Sequence, residues 1–276
     1  MGSQRLLRDY ILNKKNIFIL LPAYNEEATL PKLLVKIQEF AASTENEVHT
    51  VVCDDCSSDD TSKAIEGFVS QMPLTILSHN YNRGLGETSR DLFEFAATKS
   101  SDVDYIVRMD ADNTHSPFVI TQMLAKIDLG YDVVIASRFQ PGGAQKGVST
   151  YRATISLLAN IFMKCVFPIK GVKEYSCGYR CYRASLIKNA VDTYGNNFIQ
   201  LKGLGFTGTL EKLVKLNLLG AKVAEVPFEL RYDLKESQSK MVSSITTLGY
   251  LTMAVLYHWP WGGWRKVYKH LRGSSG

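Results

Sequence analysis

Short apolar runs rich in Val and Ile alternate with helix-length amphipathic stretches along this chain, and few architectures accept that alternation. The runs at residues 17–21, 48–53, 74–77, 105–109, 133–136 and 223–226 have the length and β-branched content of buried strands. Strands separated by helices make an α/β fold, a mostly parallel sheet flanked by helices. Between the first two runs, Leu30, Leu33, Leu34 and Ile37 follow the i, i+3, i+4, i+7 spacing with polar residues between them, which predicts a helix lying on the sheet. At 276 residues the chain can enclose one large core. It contains no internal repeat and no low-complexity stretch.

In open sheets of this kind ligands bind beyond the carboxyl ends of the strands. The segments at those exits are Pro22-Ala23-Tyr24-Asn25-Glu26, Asp54-Asp55-Cys56-Ser57, Asn82-Arg83-Gly84, Asp110-Ala111-Asp112 and Ser137-Arg138, and most are polar or acidic. Two carboxylates one residue apart at a strand end can hold a hard cation through one or two oxygens, leaving positions for water and phosphate. Asp110 and Asp112 are therefore candidate ligands of Mg2+ or Mn2+, against the plain alternative of two solvated loop acids. Asp54 and Asp55 precede Ser57-Ser58-Asp59-Asp60-Thr61. They either cap a following helix or accept hydrogen bonds from a base or ribose.

The formal charge of +5 at first suggests nucleic acid, but it is confined to one end of the chain. Residues 237–276 hold Lys240, Arg265, Lys266, Lys269 and Arg272 and no acid, and the remainder balances at 27 basic against 27 acidic residues. Trp259, Trp261 and Trp264 lie in the same tail. Trp beside Lys and Arg suits a membrane surface, whereas a nucleic-acid footprint spreads over a face of the fold. No nucleic-acid partner is expected. Residues 241–264 carry no Asp, Glu, Lys or Arg, yet serines, threonines, His258 and Pro260 interrupt them. An interfacial helix fits this stretch better than a membrane span. The five cysteines, Cys53, Cys56, Cys165, Cys177 and Cys181, are odd in number and follow no signal peptide. That predicts a reducing cytoplasmic setting, with small buried thiols rather than zinc ligands.

Taken in order, the motifs resemble the family 2 glycosyltransferases of GT-A fold, and within them the dolichyl- or polyprenyl-phosphate mannosyltransferases. The resemblance is carried by Leu21-Pro22-Ala23-Tyr24-Asn25-Glu26-Glu27, Asp54-Asp55-Cys56-Ser57-Ser58-Asp59 and Asn82-Arg83-Gly84-Leu85-Gly86 with Arg90. It continues through Met109-Asp110-Ala111-Asp112-Asn113-Thr114-His115, Ala136-Ser137-Arg138, Cys177-Gly178-Tyr179-Arg180-Cys181-Tyr182-Arg183, Glu225-Val226-Pro227 and Ser239-Lys240-Met241. It implies a Rossmann-like GT-A domain over residues 16–240, preceded by an extension at 1–15 and followed by C-terminal interfacial amphipathic helices at 241–276. It further implies that Pro22, Tyr24, Glu26 and Asp54, with Asp55, Arg83 and Ala111 beside them, bind the nucleotide donor. Asp110 and Asp112 are then the metal ligands, and Arg231 and Lys240 hold the donor diphosphate. Arg138, Arg152 and Ser156 receive the acceptor's phosphate; for Arg152 a solvated helix cation is the alternative.

The sequence departs from that pattern in places. Cys56 stands where the family usually has Gly, Thr114 where a metal-binding Gln is common, Glu174 where Asp is common, and Ser237 where Gly is common in the loop before Lys240. Two hydrophobic C-terminal segments of some relatives are absent, so firm anchoring is not expected.

A hydroxyl acceptor needs a general base; a lipid phosphate, already anionic at neutral pH, needs none. In residues 203–211, where hydroxyl-directed relatives place an acid pair, only Glu211 is acidic. The resemblance therefore favours an inverting transfer of a hexose from GDP-mannose, or UDP-glucose as second choice, to polyprenyl phosphate at the inner membrane face. Transfer to a hydroxyl acceptor, with Glu211 or Asp233 as base, is the alternative. A nucleotide-sugar-binding protein without turnover is the third reading.

Overall fold

A computed structural model describes residues 14–237 and 243–268 of the chain. The element order begins with β1 (Asn16–Ala23), α1 (Leu30–Ala42), β2 (Glu47–Asp54), α2 (Thr61–Glu66), β3 (Leu74–Ser78), α3 (Leu85–Lys99), β4 (Tyr105–Arg108) and α4 (Ile120–Asp128). It continues with β5 (Val133–Ser137), β6 (Ala144–Lys146), α5 (Thr150–Val166), β7 (Arg180–Arg183) and α6 (Ala184–Tyr194). The last elements are α7 (Thr207–Leu218), β8 (Val223–Pro227), β9 (Glu229–Arg231), α8 (Ser243–His258) and α9 (Gly263–Val267). All six predicted strands are present, and Leu30, Leu33, Leu34 and Ile37 are the buried face of α1.

Seven strands form one sheet in the order β3-β2-β1-β4-β7-β5-β8. Every pairing in it is parallel except those of β7 with β4 and β5. Ile17, Ile19, Leu20 and Leu21 of β1 are buried together with Ile106 and Val107 of β4, because helices cover both faces and leave no side of the strands in water.

Strand β7 escapes the hydrophobic pattern because it reads Arg-Cys-Tyr-Arg. Its Arg180 is fully buried, and its guanidinium donates to the carbonyls of Thr209 and Tyr175, each at 2.7 Å. Main-chain acceptors thus hold both terminal nitrogens of a cation where a strand pattern would expect Val or Ile. Since β7 runs antiparallel, the residues before it, Glu174 to Gly178, reach the same sheet edge as the ends of β1, β2, β4 and β5. A second, two-stranded sheet pairs β6 with β9, Lys146 against Arg231, and brings the chain after β8 back across that edge.

Helix α7 is buried around almost its whole circumference. Helix α8 carries apolar residues on two sides: Met253 and Tyr257 pack inward, while Ile245, Leu248, Leu251 and Val255 are exposed. Among the described residues no helix is long and apolar enough to cross a membrane. Of the three tail tryptophans Trp259 and Trp261 are exposed, but Trp264 is buried with the Lys215 ammonium 4.4 Å from its ring centroid. The predicted extension falls almost wholly outside the described residues, as do Ser239, Lys240 and Met241.

Candidate active site

The register of β1 against β2 sets Pro22 opposite Cys53 and Ala23 opposite Asp54, so Tyr24 and Asp55 leave the sheet side by side. Both acids after β2 are buried and fully engaged. Asp54 accepts from the Ser57 main-chain N–H at 3.0 Å and from the hydroxyls of Ser57 and Ser62 at 2.5 Å each, which shapes the turn into α2. Asp55 accepts from the main-chain N–H groups of Arg83 at 2.8 Å and Gly84 at 2.7 Å, and its Oδ1 lies 2.6 Å from His79 Nδ1. It therefore pins the Asn82-Arg83-Gly84 exit against the Asp54 exit, while the Arg83 side chain stacks over Tyr81. Glu26 is buried and accepts from the Thr29 hydroxyl at 2.6 Å and the Ser237 hydroxyl at 3.2 Å. Cys56, at the glycine position of the motif, takes φ = 59°: the turn keeps the left-handed conformation that glycine adopts freely.

Beyond β4, buried Ala111 separates two carboxylates with different surroundings. Asp110 pairs with Arg108 Nη1 at 2.6 Å. Only a glycine at 178 permits this, since a Cβ there would lie 1.9 Å from the same Nη1. Asp112 Oδ1 accepts from the Thr114 main-chain N–H at 3.3 Å and its hydroxyl at 2.6 Å, and Oδ2 accepts from the Lys235 ammonium. Burial opposes ionisation of Asp112, but the His115 and Lys235 charges and the hydrogen bonds from Lys235 and Thr114 outweigh it and hold its pKa below the ordinary value. Thr114 orients the carboxylate. Burial lowers the pKa of His115; its Nδ1 accepts from the Asp110 main-chain N–H at 3.1 Å, and its ring stacks on Tyr179.

Among the described residues no three or more His, Cys, Asp or Glu side chains cluster for a metal. Two carboxylates on one turn are nevertheless a fitting donor set for a divalent cation that takes its remaining oxygens from water and a diphosphate.

On the far side of β7, Glu174 grips Arg138 with both oxygens, at 2.8 Å to Nε and 2.9 Å to Nη2. The same guanidinium donates to Ser176 at 2.9 Å and Ser156 at 3.3 Å. Burial raises the cost of the Glu174 charge, but the Arg138 guanidinium wins and keeps its pKa below the ordinary range. Arg138 and Ser156 are thus brought together. Arg152 stands one turn away on α5, exposed, donating to the Tyr232 hydroxyl at 2.7 Å. Arg231 is tied to Asp233 at 2.7 Å, and its main-chain N–H donates to the Thr114 carbonyl at 3.2 Å. Lys36 holds Asn113 at 2.7 Å; burial and then the Arg231 charge lower its pKa, so two cations face the acidic loop.

Glu211 is sealed inside α7, accepting from the main-chain N–H groups of Gln200 and Leu201 at 2.9 Å each and from Lys215. Its carboxylate caps the preceding turn. Asp233 is held below the ordinary carboxylate range by its hydrogen bond from Arg231, which weakens it as a base.

Residues 18–191 match the family model described as glycosyl transferase family 2. The chain belongs to that family. Its relatives include the polyprenol monophosphomannose synthase of Mycolicibacterium smegmatis, 26% identical over 77% of this chain and 84% of that protein. The undecaprenyl-phosphate mannosyltransferase of Micrococcus luteus is 29% identical over 83% and 88%. The dolichol-phosphate mannosyltransferase of Pyrococcus furiosus is 29% identical over 77% of this chain but 55% of its own length. Among solved structures, glucosyl-3-phosphoglycerate synthase of Mycobacterium tuberculosis with Mn2+, UDP-glucose and phosphoglyceric acid superposes with a TM-score of 0.58, covering 90% of this chain and 82% of that one at 18% identity. That likeness establishes the shared GT-A fold.

Within this family 2 domain, sequence reasoning missed Arg108, Lys235 and the clamp that Glu174 places on Arg138. Arg108 carried a signal, as a cation ending an apolar strand one residue before Asp110. Lys235 carried none, because it meets Asp112 across 123 positions of sequence.

Proposed function

We propose that this family 2 glycosyltransferase moves a hexose, mannose by preference, from a nucleoside diphosphate sugar to a polyprenyl phosphate at a membrane surface. The observation that carries the acceptor half is the fate of the candidate bases. Glu211 is closed inside a helix and Asp233 is spent on Arg231, while Arg138, Ser156 and Arg152 gather donors on one side of the site. A phosphate acceptor needs those donors and no base.

Asp110 and Asp112 would hold the divalent cation, whose chemistry is to neutralise charge growing on the departing diphosphate. Arg231 and Lys36 present cations to the same loop and stabilise that charge from the protein side; Lys240 is expected to join them. Asp54 and Asp55 fix the walls of the base and ribose pocket. Arg138, oriented by Glu174, and Arg152 hold the acceptor phosphate in line with the sugar, which is the positional part of the catalysis.

The membrane partner is supported by one surface. Tyr151, Ile155, Leu158 and Phe162 of α5 form an exposed apolar stripe at helical spacing. It starts beside Arg152, and at its far end His258 of α8 reaches the Val166 carbonyl at 3.0 Å. Helix α8 carries exposed apolar residues of its own, Ile245, Leu248, Leu251 and Val255, and is followed by exposed Trp259 and Trp261. An apolar band headed by a phosphate-binding arginine suits a lipid whose headgroup is a phosphate.

Product analysis with GDP-mannose and UDP-glucose, each offered with a short polyprenyl phosphate and with free mannose or glucose, tests the reading. Phosphate-linked lipid product made from GDP-mannose is the expected outcome; product on the free sugars alone refutes it.

A further inference from the structure

We propose that Lys235 is a positioning residue of the transfer site: its ammonium is the resident counter-charge of Asp112, and it makes divalent-cation binding conditional on the nucleoside diphosphate. The inference rests on the reading of Asp110 and Asp112 as metal-holding acids and extends it to a residue that reading does not use.

Each acid of the pair faces its own protein cation, Arg108 at Asp110 and Lys235 at Asp112. The two cations differ in freedom. Arg108 is 3% exposed, ends a central strand and is wedged against Gly178, so it has nowhere to go. Lys235 follows the 3-10 turn Tyr232–Leu234 and belongs to no strand or helix; its side chain meets Asp112 and lies 5.9 Å from the Tyr232 ring centroid. When a further cation approaches the acid pair, Lys235 is the one that can exchange.

Charge balance then sets the coupling. With Arg108 and Lys235 in place the two carboxylates are neutralised, and a divalent ion arriving alone meets no net attraction. To bind Asp112 it must break an ammonium–carboxylate pair that is largely shielded from water. A nucleoside diphosphate arriving with the ion supplies the missing negative charge and gives the freed ammonium a phosphate oxygen to hold. Metal and nucleotide therefore strengthen each other, and the coupling is reciprocal. Until they arrive, Lys235 and Thr114 keep the Asp112 carboxylate in one orientation.

Calorimetric or electron-paramagnetic titration of the full chain with Mn2+, alone and with saturating GDP or UDP, tests this on the wild type, Lys235→Met, Lys235→Gln and Lys235→Arg. The wild type is expected to bind Mn2+ at least about tenfold more tightly with nucleotide than without. Lys235→Met and Lys235→Gln should bind Mn2+ alone about tenfold more tightly than the wild type and lose most of the gain on adding nucleotide. Lys235→Arg should restore wild-type coupling. If either neutral variant, folded by circular dichroism, binds Mn2+ alone no better than the wild type while its nucleotide complex forms normally, the role of Lys235 is overturned and the metal reading stands. Absence of Mn2+ binding to the wild type even with nucleotide overturns both.

Discussion

The two halves of this site are built in opposite ways. On the donor side, at the ends of β1, β2 and β4, acids are held largely by main-chain N–H groups and hydroxyls within a few residues or at the next strand exit: Asp54 by Ser57 and Ser62, Asp55 by Arg83 and Gly84, Asp112 by Thr114. On the acceptor side, cations are held by side chains far away in sequence: Arg138 by Glu174, 36 positions on, and Arg152 by Tyr232, 80 positions on. The proposed donor half is built mainly on the sheet edge, although it borrows Arg231 and Lys235 from the β9 return, Lys235 meeting Asp112 across 123 positions. The acceptor half exists only once β7, α5 and the β9 return have packed. On the proposed assignment of Arg138 and Arg152, variation in β7 and α5 would change what receives the sugar while leaving the bonds of Asp54 and Asp55 untouched.

The sharpest test of the contrast removes a donor-side charge whose neighbours keep their shape. Asp112→Asn preserves the Thr114 contacts in outline but takes away one of the two carboxylates. Transfer rates should fall about 10³-fold, in the range seen when charge stabilisation at a reacting centre is lost. The melting-temperature rise given by GDP or UDP with Mn2+ should vanish; the melting temperature without ligand should fall as well, because the Lys235 ammonium loses its carboxylate. A variant that retains metal-dependent stabilisation by nucleotide would remove Asp112 from the donor site.

Glu174→Gln probes the other half and should act first on stability. It leaves the Arg138 guanidinium, 11% exposed, without its carboxylate, and stranding one partner of a buried pair costs about 3–5 kcal/mol. Because the folded pKa of Glu174 is depressed, the pair's contribution is complete above the ordinary value of 4.5 and is lost as pH falls through the lower folded value. Denaturant midpoints measured from pH 6 downward should therefore fall less steeply in the variant than in the wild type. Parallel curves would mean that Glu174 titrates alike in the folded and unfolded chain.

The contrast also explains what the sequence could reveal. The six strands of the parallel core and the acids at their exits were legible because period and position are local properties, and a strand end names its own exit loop. Strand β7 was not, since Arg180 donates to the carbonyls of Thr209 and Tyr175 and Arg183 to those of Ile127 and Tyr131, main-chain partners that no residue pattern announces. Cys56 could be flagged as a departure, but only the backbone reveals that it accepts the glycine conformation. Glu211 reads from sequence as part of a helix running to Leu219, with a structural role as open as catalysis, and α7 (Thr207–Leu218) bears the helix out. Its commitment to Gln200 and Leu201 follows from a turn packed against α7, a tertiary fact.

Arg152→Ala is the gentlest and most discriminating change. Arg152 is exposed, and its guanidinium donates to the Tyr232 hydroxyl, so stability should change by no more than about 0.5 kcal/mol on its loss, as for other exposed polar contacts. If it receives the acceptor phosphate, use of a short polyprenyl phosphate should weaken about tenfold, the equivalent of one charge-assisted hydrogen bond. Nucleotide affinity should hold, because Asp55 and Asp112 draw nothing from α5. The comparison breaks if nucleotide and lipid affinities fall together: the two halves would then be one cooperative unit joined through Tyr232, whose ring lies 5.7 Å from the Arg152 guanidinium and 5.9 Å from the Lys235 ammonium. It sharpens if only lipid use falls, since the acceptor phosphate would then bind to a surface that the donor pocket does not need.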